Sequence, residues 1–157
     1  MREALQKLKY LVFLFAIALC GHSYAVDSVV QSIDKVKPDC PVACPSREFT
    51  KFLKAFTEHK EIQMAFTKFP LKRQQLDLDA DPEPKPVITN LGRSQAEFPL
   101  IPNEFEREKK SLTLRIDKVT PTRAKVTLLK SDTDYQISYF FSKNSCWKLE
   151  RIEDWSL

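Results

Sequence analysis

The sequence predicts an α+β domain in which helices pack on one face of a bent antiparallel sheet. Two observations carry that expectation. The carboxy-terminal third holds four runs that alternate apolar and polar residues, the pattern of a four-strand meander with one greasy side. Ahead of it, Phe49, Phe52, Leu53 and Phe56 recur at helical spacing and supply the cover such a sheet needs.

Residues 1–25 read as a secretory signal peptide rather than as part of the domain. Arg2, Lys7 and Lys9 form a basic head, Leu11 to Leu19 an apolar run, and Ser23 and Ala25 the small residues of a cleavage site. The apolar run is about half the ~20 residues that a spanning helix needs, so no retained transmembrane anchor is expected. The mature chain then begins near Val26, and residues 26–157 form one periplasmic or secreted domain. A lipid anchor on Cys20 is the competing reading, and the bulky Leu19 before it argues against lipidation.

Val29, Ile33 and Val36 suggest a short helix or ordered arm that stops before Pro38. Ser46 stands as the candidate N-cap of the next helix, with Glu48 in its first turn. The charged stretch Glu58 to Glu61 marks a break. Ile62, Ala65, Phe66 and Phe69 then resume a helical pattern that Pro70 ends, giving two helices across Ser46 to Phe69. Leu71, Leu76 and Leu78 fit an extended segment, and Asp79 to Pro86 an acidic loop punctuated by proline. Val87 to Leu91 suits a strand, Phe98 to Pro102 an extended piece, and Asn103 onward a brief charged helical turn. The meander follows: Leu112 to Ile116, Ala124 to Leu128, Tyr135 to Phe141, and Trp147 to Leu149.

Composition excludes several chemistries. Loss of residues 1–25 lowers the net charge from +4 to +2, with signs interspersed, which is no footprint for nucleic acid or anionic lipid. Gly92 is the only glycine left, so neither a phosphate-binding loop nor a nucleophile elbow can be built. Cys40, Cys44 and Cys146 survive cleavage. A bridge from the Cys40–Cys44 turn to Cys146 is preferred over a local Cys40–Cys44 bridge, and which of the two reaches Cys146 stays open. Zinc held by these cysteines and His59 is weakly signalled, because exported thiols are usually oxidised first.

Phe49-x-x-Phe52-Leu53-x-x-Phe56, Phe69-Pro70-Leu71, and the ending Tyr139-Phe140-Phe141 with Trp147-x-Leu149-x-x-Ile152-x-Asp154 resemble the nuclear transport factor 2-like (cystatin-like) domains, especially small exported bacterial members. The resemblance implies helices on a strongly bent sheet, often with a conical cavity between them. It implies no one activity, since such domains serve as isomerases, ligand pockets and protein-binding modules.

Asp77, Asp79 and Asp81 open like a calcium loop, but Pro82 and Ile88 stand where an EF-hand needs glycine and a bidentate glutamate. An isomerase of this fold requires an inward carboxylate beside an inward tyrosine. Tyr135 and Tyr139 share the inward parity of Ile137 and Phe141, whereas no carboxylate does in the clear strands. The expectation is therefore an exported binding protein without catalytic residue, metal or cofactor. Its foremost reading engages a protein partner, as a periplasmic inhibitor or immunity-type protein, through Asp77, Asp79, Asp81, Glu83, Glu104, Glu106 and Arg107. The alternative is a cavity for a small apolar ligand lined by Phe52, Phe56, Tyr135 and Tyr139, and an isomerase-like enzyme comes third.

Overall fold

The computed structural model describes residues 42–157. The expected signal peptide and cleavage site, Cys20, the Val26–Val36 segment and Cys40 lie outside the described residues.

Helix α1 (Phe49–Glu58) buries Phe49, Phe52, Leu53 and Phe56 on one stripe, as their spacing requires. Its N-cap is Glu48 rather than Ser46. Ser46 acts one step earlier, its Oγ accepting from the Glu48 amide at 3.0 Å. His59, extended at φ −125° and ψ 114°, makes the break before α2 (Lys60–Ala65).

Here one expectation fails. The second helix stops at Ala65, and Phe69 belongs to strand β1 (Thr67–Asp77). The Leu149 amide donates to Phe66 O at 2.9 Å and Thr67 pairs with Leu149, so long-range pairing overrides the local helical period. Pro70 is tolerated because it falls in the register shift between Thr67 and Lys72, and pairing with the next strand begins only at Leu71.

Strand β2 (Lys85–Leu91) returns antiparallel to β1, and a short 3₁₀ turn (Arg93–Gln95) and helix α3 (Glu104–Lys109) follow. Strands β3 (Leu112–Val119), β4 (Arg123–Lys130), β5 (Gln136–Lys143) and β6 (Trp147–Asp154) form the expected antiparallel meander. The six-stranded sheet runs β2-β1-β6-β5-β4-β3, and its β1–β6 pair is parallel, so the sheet is mixed. Register shifts at Ile116/Lys118 and Phe140/Phe141 mark bulges, which bend a sheet.

The helical cover meets the sheet as expected. Phe52, Phe56 and Val126 are fully buried, and Ile137 packs against the same cluster. Aromatic edges dominate the contact, with Phe56 and Phe141 centroids 5.3 Å apart and Phe49 and Trp147 4.9 Å apart. Cys44 pairs with Cys146 across 102 residues and ties the lead-in of α1 to the start of β6. Beside that bridge, Trp147 Nε1 donates to Arg47 O at 2.9 Å.

Candidate functional site

The segment Phe98–Pro102 crosses the concave face of the sheet beyond the helices. It contains two prolines and forms no strand, so its backbone groups need other partners. Gln63 on α2 supplies them. Its Nε2 donates to Ile101 O at 2.8 Å, while its Oε1 accepts from the amides of Leu100 at 2.7 Å and Ile101 at 3.1 Å. Ile101 and Gln63 are both fully buried by this clamp. Tyr139 adds a second tie, its hydroxyl donating to Leu100 O at 3.1 Å. At the far end, Arg107 donates to Pro102 O at 2.7 Å, and Asn103 caps α3 by accepting from the Glu106 amide at 2.9 Å.

Two clefts adjoin this segment and share Pro99, Leu100, Ile137 and Tyr139. The first, about 490 Å³, adds Arg73, Leu91, Gln95, Glu97, Phe98, Ile152 and Asp154. The second, about 520 Å³, adds Pro102, Glu106, Lys110, Leu112, Leu128 and Tyr135.

The polar centre of the first cleft is the pair Arg73 and Asp154, at 3.6 Å. Asp154 also accepts from the Ser156 amide at 3.1 Å. Arg73 Nε is buried and has no hydrogen-bond partner among the described residues, while the guanidinium end of the side chain stays partly exposed. Burial, reinforced by Tyr135 and the Asp154 charge, pushes the Tyr139 hydroxyl well above the ordinary phenol range. Tyr135 shifts the same way, through burial first and Asp154 second.

A carboxylate that serves as a general base must be free to take a proton. Asp154 is instead committed to a guanidinium and a backbone amide, and the Tyr139 proton is committed to a carbonyl.

The sequence-derived candidates distribute unevenly. Tyr135 and Tyr139 do stand on the cleft walls. Phe52 and Phe56 sit in the closed core at 0% exposure and line neither cleft. Asp77, Asp79, Asp81 and Glu83 are all exposed at the β1–β2 hairpin tip, away from these walls. Of the α3 group, Glu104 donates its amide to Glu58 Oε1 at 3.1 Å, Arg107 braces Pro102, and Glu106 lines the second cleft.

Sequence reasoning missed Gln63, Arg73 and Asp154. The statement that no carboxylate faces inward is corrected by Asp154. Glu150 is the extra residue of a bulge, since Leu149 pairs with Phe141 and Arg151 with Phe140. That bulge resets the alternation, so Ile152 and Asp154 both line the concave cleft. The two-residue gap between Leu149 and Ile152 was the available signal.

The chain is similar to the crystal structure of an NTF2-like protein from Bacteroides fragilis NCTC 9343, at 21% identity with a TM-score of 0.52. The match covers 70% of this chain but only 47% of the other, so the chain spans about half the length of that structure. The likeness shows an NTF2-like fold. No protein-family model matches the chain, and no curated protein matches it.

Proposed function

We propose that the protein is an exported, non-catalytic binding protein whose concave clefts hold a small amphipathic molecule. The observation that carries this reading is the partly exposed Arg73 guanidinium, 3.6 Å from Asp154, beside a wall of Leu91, Leu100, Ile137 and Ile152. A ligand with an apolar body and an oxygen acceptor at one end satisfies both features. The two clefts together suit a molecule of modest size. Export is supported by the Cys44–Cys146 bridge, which suits an oxidising compartment, and by the layout of residues 1–25. No helix among the described residues is long and apolar enough to cross a membrane.

The amphipathic dye 1-anilinonaphthalene-8-sulfonate, an aromatic body with an anionic head, tests the reading. The folded protein should give saturable one-to-one fluorescence enhancement, and Arg73→Met should weaken it about tenfold, the ~1.4 kcal/mol expected of one charge-assisted hydrogen bond. Absence of saturable enhancement, or an affinity indifferent to Arg73, would contradict it.

Engagement of a protein partner, in the manner of a periplasmic inhibitor or immunity protein, is the second reading. The exposed hairpin tip with Asp77, Asp79, Asp81 and Glu83 favours it, because recognition concentrates on such loops. Substituting all four acids with Asn and Gln should abolish recovery of a partner from envelope extract while leaving dye binding unchanged.

A further inference from the structure

A cleft of about 750 Å³, larger than either concave one, lies on the other face of the sheet. Its cations come from four places in the chain: Lys68 and Lys72 on β1, Arg151 on β6, Arg123 and Lys125 on β4, and Lys118 on β3. Glu150 is the one acid among its lining residues. The remaining described residues carry fourteen basic against sixteen acidic side chains, so positive charge is concentrated here. Among the described residues, Lys68, Lys72 and Lys118 form no ion pair, although Arg123 pairs with Glu150 and Arg151 with Glu153.

The shape of the cleft restricts its occupant. Strands β1, β6, β5, β4 and β3 lie side by side, so the groove crosses five strands, or about 19 Å at ~4.8 Å per strand. Phe140 on β5 stands in it, with the Arg151 guanidinium 3.9 Å and the Lys125 ammonium 5.6 Å from the ring centroid. A ring covered in this way offers no open face to a nucleobase, and base stacking is what single-stranded nucleic acid requires of such a surface. A long polyanion would also run onto the net-acidic surface outside the groove. A short run of carboxylates meets neither obstacle. Same-side residues of an extended peptide recur every ~6.7 Å, so about six residues span the groove.

We propose that this outer groove docks a short acidic peptide segment, about six residues rich in Asp and Glu, belonging to a partner protein. Charge complementarity sets the pairing, with Lys68, Lys72 and Lys118 as the uncommitted cations that meet the carboxylates. The site is separate from the concave clefts and stands without them.

Fluorescein-labelled hexaglutamate, followed by anisotropy on the folded protein, provides the test. Saturable binding is expected, falling at least tenfold in Lys68→Glu/Lys72→Glu and weakening steeply with added salt. Lys54→Glu/Lys60→Glu, which changes net charge equally on the helices α1 and α2, should alter binding less than twofold. The milder Lys72→Gln/Lys118→Gln should weaken it at least threefold, and gives a reading should charge reversal perturb folding. Three results would overturn the proposal: no saturable binding, equal weakening by the β1 and helical charge reversals, or tighter binding of an oligothymidylate than of hexaglutamate.

Discussion

Gln63 holds Ile101 from both sides, donating to its carbonyl at 2.8 Å and accepting from its amide at 3.1 Å. This one buried side chain fixes a proline-flanked segment that no strand secures, and that segment forms a wall of both concave clefts. Fold and site therefore meet at Gln63.

Gln63→Leu leaves the Leu100 and Ile101 amides and the Ile101 carbonyl unpaired in a buried setting. A loss of about 3 kcal/mol is expected, given ~1–3 kcal/mol for each orphaned group and partial relaxation. The urea midpoint should fall accordingly, and dye affinity in the concave cleft should fall with it. A change under about 1 kcal/mol would mean that the segment is held by something else.

The Cys44–Cys146 bridge closes a loop of about 100 residues, for which the chain-entropy view gives ~4–5 kcal/mol. Cys44→Ala should therefore cost roughly 3–4 kcal/mol in guanidinium unfolding. Reductant should lower the midpoint of the wild type and leave that of the variant little changed. Equal sensitivity to reductant in both proteins would contradict the pairing.

Asp117 offers a pH test on the outer face. Its carboxylate accepts from Thr127 Oγ1 at 2.5 Å and from Arg115 Nε at 2.8 Å. Burial alone would raise its pKa, but those hydrogen bonds and the charges of Arg115 and Lys125 outweigh burial and hold it below the ordinary 3.8. A depressed folded-state pKa gives stability that is present above the unfolded value and lost as pH falls through the folded one. Asp117→Asn should cost about 1 kcal/mol at neutral pH, and the gap should close as pH falls from about 5 toward about 2. Urea midpoints across that range check the sign.

Phe56 touches Phe52 and Phe141 and is wholly buried. Phe56→Ala should cost about 3–5 kcal/mol by loss of buried surface and creation of a cavity, whereas Phe56→Leu should cost less than half as much. Thermal melts of the two variants distinguish packing from any ligand role for this ring.

Much of the fold was legible because it is written in periodicity. The alternation from Ala124 to Leu149 and the stripe from Phe49 to Phe56 fix elements and the faces they bury, whereas Ile116 on the edge strand β3 is 40% exposed. The start of strand β1 escaped because Phe66 and Phe69 continue a helical spacing by coincidence, while what decides their state is pairing with Leu149, eighty-two residues beyond Thr67. Asp154 escaped because the bulge at Glu150 shifts parity, and simple alternation from Leu149 places it on the wrong face. Gln63 carries no local mark at all; its partners are thirty-seven and thirty-eight residues away. The outer groove was hidden for a related reason. Its six cations are scattered over four strands and diluted along the chain by acids that the fold places elsewhere.

Native mass spectrometry of the protein recovered from its own cells is the most direct trial of a ligand-holding concave face. A stoichiometric small-molecule adduct on the wild type, absent from Arg73→Met, is the expected spectrum. A bare wild-type mass, or an adduct that Arg73→Met retains in full, would contradict it.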